Sequence, residues 1–176
     1  MEILKGDEVL DIALVDAAVT ADNDIGSKAI WDVGQVRQIV QTCGSLSNIG
    51  LSSIGGCIHV VRSHDPEGLS LEVGEGDLRV RAPIAPGLIQ EVKVKDVRII
   101  HIGDRVAVLY SPSIIALDGE RQIRVRGDDS YAIRLSDQGP RVLEVFDVLR
   151  IATELGLFRD QFISREGAIH DIEDGS

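Results

Sequence analysis

Residues 69–82 read Leu69-Ser70-Leu71-Glu72-Val73-Gly74-Glu75-Gly76-Asp77-Leu78-Arg79-Val80-Arg81-Ala82, and this stretch decides the fold class. Apolar side chains fall on every second position, first at Leu69, Leu71 and Val73, then at Leu78, Val80 and Ala82, with Glu72, Arg79 and Arg81 between them. A period of two marks strands with one face buried. The same alternation continues through Ile89, Val92 and Val94, interleaved with Lys93 and Lys95. Gly74-Glu75-Gly76 reads as a turn between the first two strands. A second hairpin is written as Ile123 to Arg126, then Gly127-Asp128-Asp129-Ser130, then Tyr131 to Leu135. Strands joined by short polar turns predict a mainly β fold, an antiparallel β-sandwich.

Helical spacing occurs at two places. Asp32 can cap a short helix near 32–42 that carries Val36, Ile39 and Val40 and stops before Gly44. Val145, Val148, Leu149, Ala152 and Leu155 recur at three- and four-residue intervals, which predicts a C-terminal helix near 142–156 with its apolar face against the sheet. Residues 1–158 are read as one domain and 159–176 as a polar tail.

Composition bounds the function. With 29 acidic against 18 basic residues the chain carries a net charge of −11, so a nucleic-acid partner is not expected. No apolar run reaches the length needed to span a bilayer, and the start lacks a signal-peptide pattern, so a cytoplasmic protein without membrane contact is expected. Cys43 and Cys57 lack metal-ligand spacing and are read as buried thiols. His59 and His64 stand five apart in an extended stretch, which puts their rings on opposite faces, so no metal site is expected.

Four local features could carry chemistry. Ala13-Leu14-Val15-Asp16 ends an apolar run in a carboxylate, either a solvated edge residue or an acceptor for sugar hydroxyls. Gly50-Leu51-Ser52-Ser53-Ile54-Gly55-Gly56 is either a ligand loop offering Ser52 and Ser53 as donors or a glycine-rich helix packed on a sheet. Ala82-Pro83-Ile84-Ala85-Pro86 is a rigid extended corner. Leu117-Asp118-Gly119-Glu120 is first a hairpin turn, and second a pair of carboxylates able to bind Mg²⁺ or take a proton from a hydroxyl.

The order of these four landmarks resembles the C-terminal domain of the ATP-NAD kinase family. The segment from Ile115 to Arg121, together with Gly139 to Leu143, is similar to the branch that includes acetoin-catabolism protein X. The resemblance implies a β-sandwich that receives NAD or NADP through Asp16, Gly50, Ser52 and Ser53 and forms homo-oligomers. It also implies catalytic candidates at Asp118 and Glu120. ATP and Mg²⁺ would be held by a separate N-terminal domain or subunit with a Gly-Gly-Asp-Gly loop, a motif these 176 residues lack. The chain by itself is therefore not expected to transfer phosphate. Val15 stands where the family has asparagine, and Glu120 where NAD kinases have glutamine; related lipid kinases have glutamate there. The alternative reading is a non-catalytic sandwich that kept the fold as a regulatory or assembly module.

The surface chemistry is distinctive, with four Lys against fourteen Arg and eighteen Asp against eleven Glu. Acidic, lysine-poor surfaces repel themselves less when salt screens the charge. The thermal unfolding midpoint should therefore rise between low and molar salt; an unchanged midpoint would contradict this halophilic reading.

Overall fold

The computed structural model describes residues 1–21, 33–62, 64–127, 129–140 and 143–159. It divides into two compact units at the Gly139/Pro140 junction. The first unit is an antiparallel sandwich. One sheet has four strands in the order β2-β1-β10-β7, built from β1 (Glu2–Lys5), β2 (Glu8–Ile12), β7 (Arg105–Ala107) and β10 (Tyr131–Arg134). The other has six, in the order β6-β5-β4-β3-β8-β9: β3 (Asp16–Ala21), β4 (Val36–Gln41), β5 (Glu67–Ala85), β6 (Leu88–His101), β8 (Ser113–Leu117) and β9 (Arg121–Val125).

The six-stranded sheet is buried on both faces, which is why its central strands are almost continuously apolar. On one face Ala17, Val19, Val40, Ile115 and Leu117 pack with Ile3, Val106 and Ile133 of the smaller sheet. Gln38 Nε2 donates to Ala107 O at 3.0 Å and ties the two sheets together. On the other face Ala18, Ile39, Leu69 and Leu71 pack with Ile54 of a short helix, α1 (Ser52–Gly56), and with Leu51 just before it. Val80, Ala82, Ile84, Val92 and Val94 belong to that same core.

Two turns differ from the sequence reading. Gly74-Glu75-Gly76 does not reverse the chain: Val73 and Leu78 both lie opposite Val94, so residues 74–77 form a bulge within the single strand β5. The bulge moves the buried set from odd positions (Leu69, Leu71, Val73) to even ones (Val80, Ala82, Ile84), so both halves of the strand serve one core. The reversal comes instead at Pro86-Gly87, where Gly87 has φ 76° and Ala85 faces Leu88. The second predicted hairpin is also absent. β9 pairs with β8, and β10 pairs with β1 and β7, so the turn after Val125 carries the chain from one sheet to the other.

The helix expected near 32–42 is a single 3₁₀ turn, Val33–Gln35, followed by strand β4. Its capping residue, Asp32, lies outside the described residues. Val36 and Ile39 enter one core and Val40 the other. Burial on both faces, with β-branched side chains, overrides the helical spacing. Cys43 and Cys57 are half-buried and not fully buried as the sequence suggested.

The second unit contains α2 (Val145–Glu154), where a C-terminal helix was expected. None of its residues is buried. No helix among the described residues is long and apolar enough to cross a membrane.

Gly76 sits in the bulge so close to β6 that a Cβ there would strike the Val94 carbonyl and lie 2.6 Å from Lys95 Cα. Gly76→Ala should cost roughly 1–3 kcal/mol in urea unfolding, whereas Gly139→Ala, with open space around it, should cost almost nothing. Equal stabilities would show that the bulge is not tightly packed.

Candidate functional site

Antiparallel register brings the beginning of β3 and the ends of β4 and β8 to one end of the six-stranded sheet. Asp16 lies opposite Gln41, and Ala17 opposite Leu117. Asp118 follows directly, so the first and last of the four sequence landmarks meet although 102 residues separate them.

Asp118 and Gly119 are the central residues of the turn between β8 and β9. Both have positive φ, 52° and 69°, and Glu120 N donates to Leu117 O at 2.9 Å. This is the type I′ arrangement that Asp-Gly favours. The turn aims the Asp118 carboxylate at the segment joining the two sheets. Leu14 N donates to Oδ2 at 2.9 Å, Val15 N to Oδ1 at 2.7 Å and Asp16 N to Oδ1 at 3.2 Å. The backbone returns the contact, since Asp118 N donates to Asp16 O at 3.0 Å. Arg121 braces the same segment through Ile12 O at 2.8 Å and an ion pair with Asp11.

Asp16 is half-buried. Burial, with a smaller contribution from the negative charge of Asp118, pushes its carboxyl up from 3.8 to about 6. Desolvation and a like charge both disfavour ionisation. A perturbed carboxyl at the end of a sheet marks a candidate site with a physical rationale. Near neutral pH it can exist in either form, accepting a hydroxyl hydrogen bond when ionised and donating one when protonated.

The glycine-rich segment takes the second of its two readings, a helix packed on the sheet. Gly50 has φ 109°, and its N–H donates to Pro83 O at 3.0 Å. The Ser53 hydroxyl is shared between Gly50 O at 2.6 Å and Pro83 O at 3.1 Å, and Ser53 is fully buried. Ser52 is buried too, with Asn48 Nδ2 at 3.5 Å from its hydroxyl. The rigid corner around Pro83 therefore supports this loop. Gln41, which sequence reasoning missed, links the loop to Asp16. Its Nε2 donates to Ser52 O at 3.2 Å, and its amide lies against Gly44 and Gly55, where any Cβ would collide with it. Its Oε1 is buried without a hydrogen-bond partner. β4 already carries Arg37 and Gln38, and Thr42 follows, so nothing in the local sequence singles out Gln41.

Glu120 is exposed and lies on the far side of the turn's reversal from Asp118 in sequence, its N–H used within the turn. Asp118 and Glu120 do not make a plausible Mg²⁺ site, because N–H donors converge on the Asp118 carboxylate where a cation would need lone pairs. His59 Nε2 is 2.8 Å from Glu67 Oε1. No group of three metal-ligating side chains occurs among the described residues.

The fold and this sheet end define a two-sheet β domain with two half-buried carboxylates at the crossing between the sheets. Residues 1–138 match the acetoin catabolism protein X C-terminal domain, and the chain belongs to that family. It is 35% identical over 152 residues to acetoin catabolism protein X of Cupriavidus necator strain H16, covering 85% of this chain and 42% of that protein. The chain thus spans less than half the length of that relative. No solved structure matches it.

The raised pKa of Asp16 has a consequence for stability. The folded chain holds this proton more tightly than the unfolded chain, so the associated stabilisation is complete below pH 3.8 and lost as pH rises through about 6. In urea unfolding, Asp16→Asn should remove that decline. The stability difference between variant and wild type should shift in the variant's favour by roughly 1–3 kcal/mol from pH 4 to pH 7.5. Parallel pH profiles would contradict the assignment.

Proposed function

We propose that the chain is the NAD-receiving, oligomerising domain of an ATP-NAD kinase-like protein, with the dinucleotide docking at the sheet end marked by Asp16. The observation that carries this reading is the half-buried, raised-pKa carboxylate of Asp16 at the end of the sheet, whose strand partner Gln41 bonds to the 44–56 loop. In this role Asp16, when ionised, accepts a hydrogen bond from a ribose hydroxyl. The loop brings main chain close to the ligand through Gly50, and Ser52 lies at its base. The landmark order supports the reading as a resemblance; membership in the acetoin catabolism protein X C-terminal domain family agrees with the branch that resemblance named.

Phosphoryl transfer to the 2′-hydroxyl of the adenosine ribose would need ATP, Mg²⁺ and an oriented nucleophile together. In the intact protein ATP and Mg²⁺ come from a domain or subunit outside this chain. What this chain supplies is the binding and orientation of the acceptor, the part of the barrier that positioning removes.

A second reading has a specific observation in its favour. The Asp118 carboxylate and the Ser53 hydroxyl are both spent on internal hydrogen bonds, which suits a non-catalytic sandwich that retained the fold for assembly. Calorimetry separates the two. Titration of NAD and NADP into the folded chain at pH 7.5 should give saturable binding of at least one of them, weakened at least ten-fold by Asp16→Ala. A well-folded sample that binds neither would overturn the NAD-receiving reading and leave the assembly module.

A further inference from the structure

We infer that Asp118 is a positioning residue: its carboxylate, pinned by successive main-chain N–H groups, fixes the crossing at residues 14–16 and thereby sets the place of Asp16. The inference deepens the NAD-receiving reading, on which its ligand arm rests, but its structural core stands on geometry alone.

Three consecutive donors, from Leu14, Val15 and Asp16, converge on one carboxylate at 2.7–3.2 Å. Each is charge-assisted, and together they give a backbone segment without its own strand ladder a fixed conformation. The turn that holds the carboxylate is equally constrained. Asp118 is the one non-glycine residue with positive φ among the described residues, at 52°. That conformation is disfavoured for side chains with a Cβ and is tolerated best by Asn and Asp. Asn, Asp or Gly would each satisfy the turn, so the turn narrows the choice without requiring a carboxylate. The convergence of N–H groups accounts for one.

The segment so fixed is a junction. Ala13 N bonds to Met1 O, just before β1 of the smaller sheet, while Thr42, just after β4 of the larger one, donates from N to Val15 O and from its hydroxyl to Leu14 O. Leu14 and Val15 point outward, 51% and 37% exposed, so side-chain burial does not hold them. Hydrogen bonds do: Asp118 accepts from both of their N–H groups, and Thr42 donates to both of their carbonyls. A carboxylate whose lone pairs already meet three donors is poorly placed to take a proton from a substrate hydroxyl. This removes Asp118 from the acceptor role that the Asp-Gly-Glu motif suggested.

The charged groups around the junction are few. Arg121 Nη2 lies 3.8 Å from Asp118 Oδ2 and also pairs with Asp11. The Met1 amino group donates to Ala13 O at 2.8 Å. The negative charge of Asp118 contributes to the upward shift of Asp16, so the anchor also biases Asp16 toward carrying the proton.

Two variants test the inference. Asp118→Asn keeps an acceptor oxygen and tolerates the positive φ; Asp118→Gly keeps the turn and removes the acceptor. Amide hydrogen exchange should show protection at Leu14, Val15 and Asp16 lost by at least ten-fold in Asp118→Gly, largely retained in Asp118→Asn, and unchanged in the centres of β3 and β8 in both. Carbon-detected NMR should show the Asp16 carboxyl titrating lower in Asp118→Asn than in wild type. NAD affinity should fall at least ten-fold in Asp118→Gly and stay within three-fold in Asp118→Asn. Undiminished protection of residues 14–16 in Asp118→Gly would overturn the anchor. Equal loss of affinity in both variants, with protection retained in Asp118→Asn, would overturn the positioning role in favour of direct contact. If wild type itself binds no NAD, the NAD-receiving reading fails, and the exchange and titration results alone decide the anchor.

Discussion

One carboxylate meeting three backbone N–H groups holds the sandwich at its crossing point. The chain leaves the small sheet after Ile12 and enters the large one at Asp16, and between them the backbone has few ladder partners of its own. Asp118, reaching from the β8–β9 turn, supplies those partners. The N–H groups of Leu14, Val15 and Asp16 lie outside any strand-to-strand bond at this point, and a single side chain from 102 residues away accepts from all three. Two features of this sheet end go with that contact, the place of Asp16 and the like charge beside it; the β4 end is tied to the 44–56 loop separately, through the Gln41 amide.

The alternating stretch at 69–82 made the β class legible, because the period of two survives any arrangement of strands. It did not reveal which strands pair. Gly74-Glu75-Gly76 has turn composition, yet long pairing on either side absorbs it as a bulge, and only the parity change of the buried residues betrays this. The turn after Val125 has hairpin composition, yet β8, whose five residues are all buried, takes β9 as its partner. Val36, Ile39 and Val40 satisfy a helical spacing and a doubly buried strand equally well, and packing against two cores decided for the strand. Local pattern carries the element type; partner choice is a long-range property that periodicity does not encode.

The candidate site was legible in part and for a definite reason. Asp16 and Asp118 were singled out as carboxylates at strand ends, and the structure brings them together. Ser52 and Ser53 were singled out as donors and Gly50 for close main-chain approach; in this structure the Ser53 hydroxyl bonds to Gly50 O and Pro83 O, and Gly50 N–H to Pro83 O. A short-range pattern of small and hydroxyl residues serves tight packing as readily as ligand approach. Gln41 had no motif at all. Its importance lies in the space that Gly44 and Gly55 leave for its amide, a relation between residues that sequence order does not display. The family places the chain among acetoin catabolism protein X C-terminal domains, and the geometry sets the two aspartates apart: the Asp118 carboxylate is spent on main-chain N–H groups, while Asp16 is half-buried with its pKa raised to about 6.

The central claim is that a dinucleotide is received at this sheet end. The most direct measurement is an amide chemical-shift map of the folded chain titrated with NAD. The account predicts that the largest saturable shifts fall on residues 14–16, Thr42 and the 44–53 loop, with the groove between Arg37 and Lys93 unaffected. Shifts concentrated in that groove, or none anywhere at saturating NAD, would contradict it.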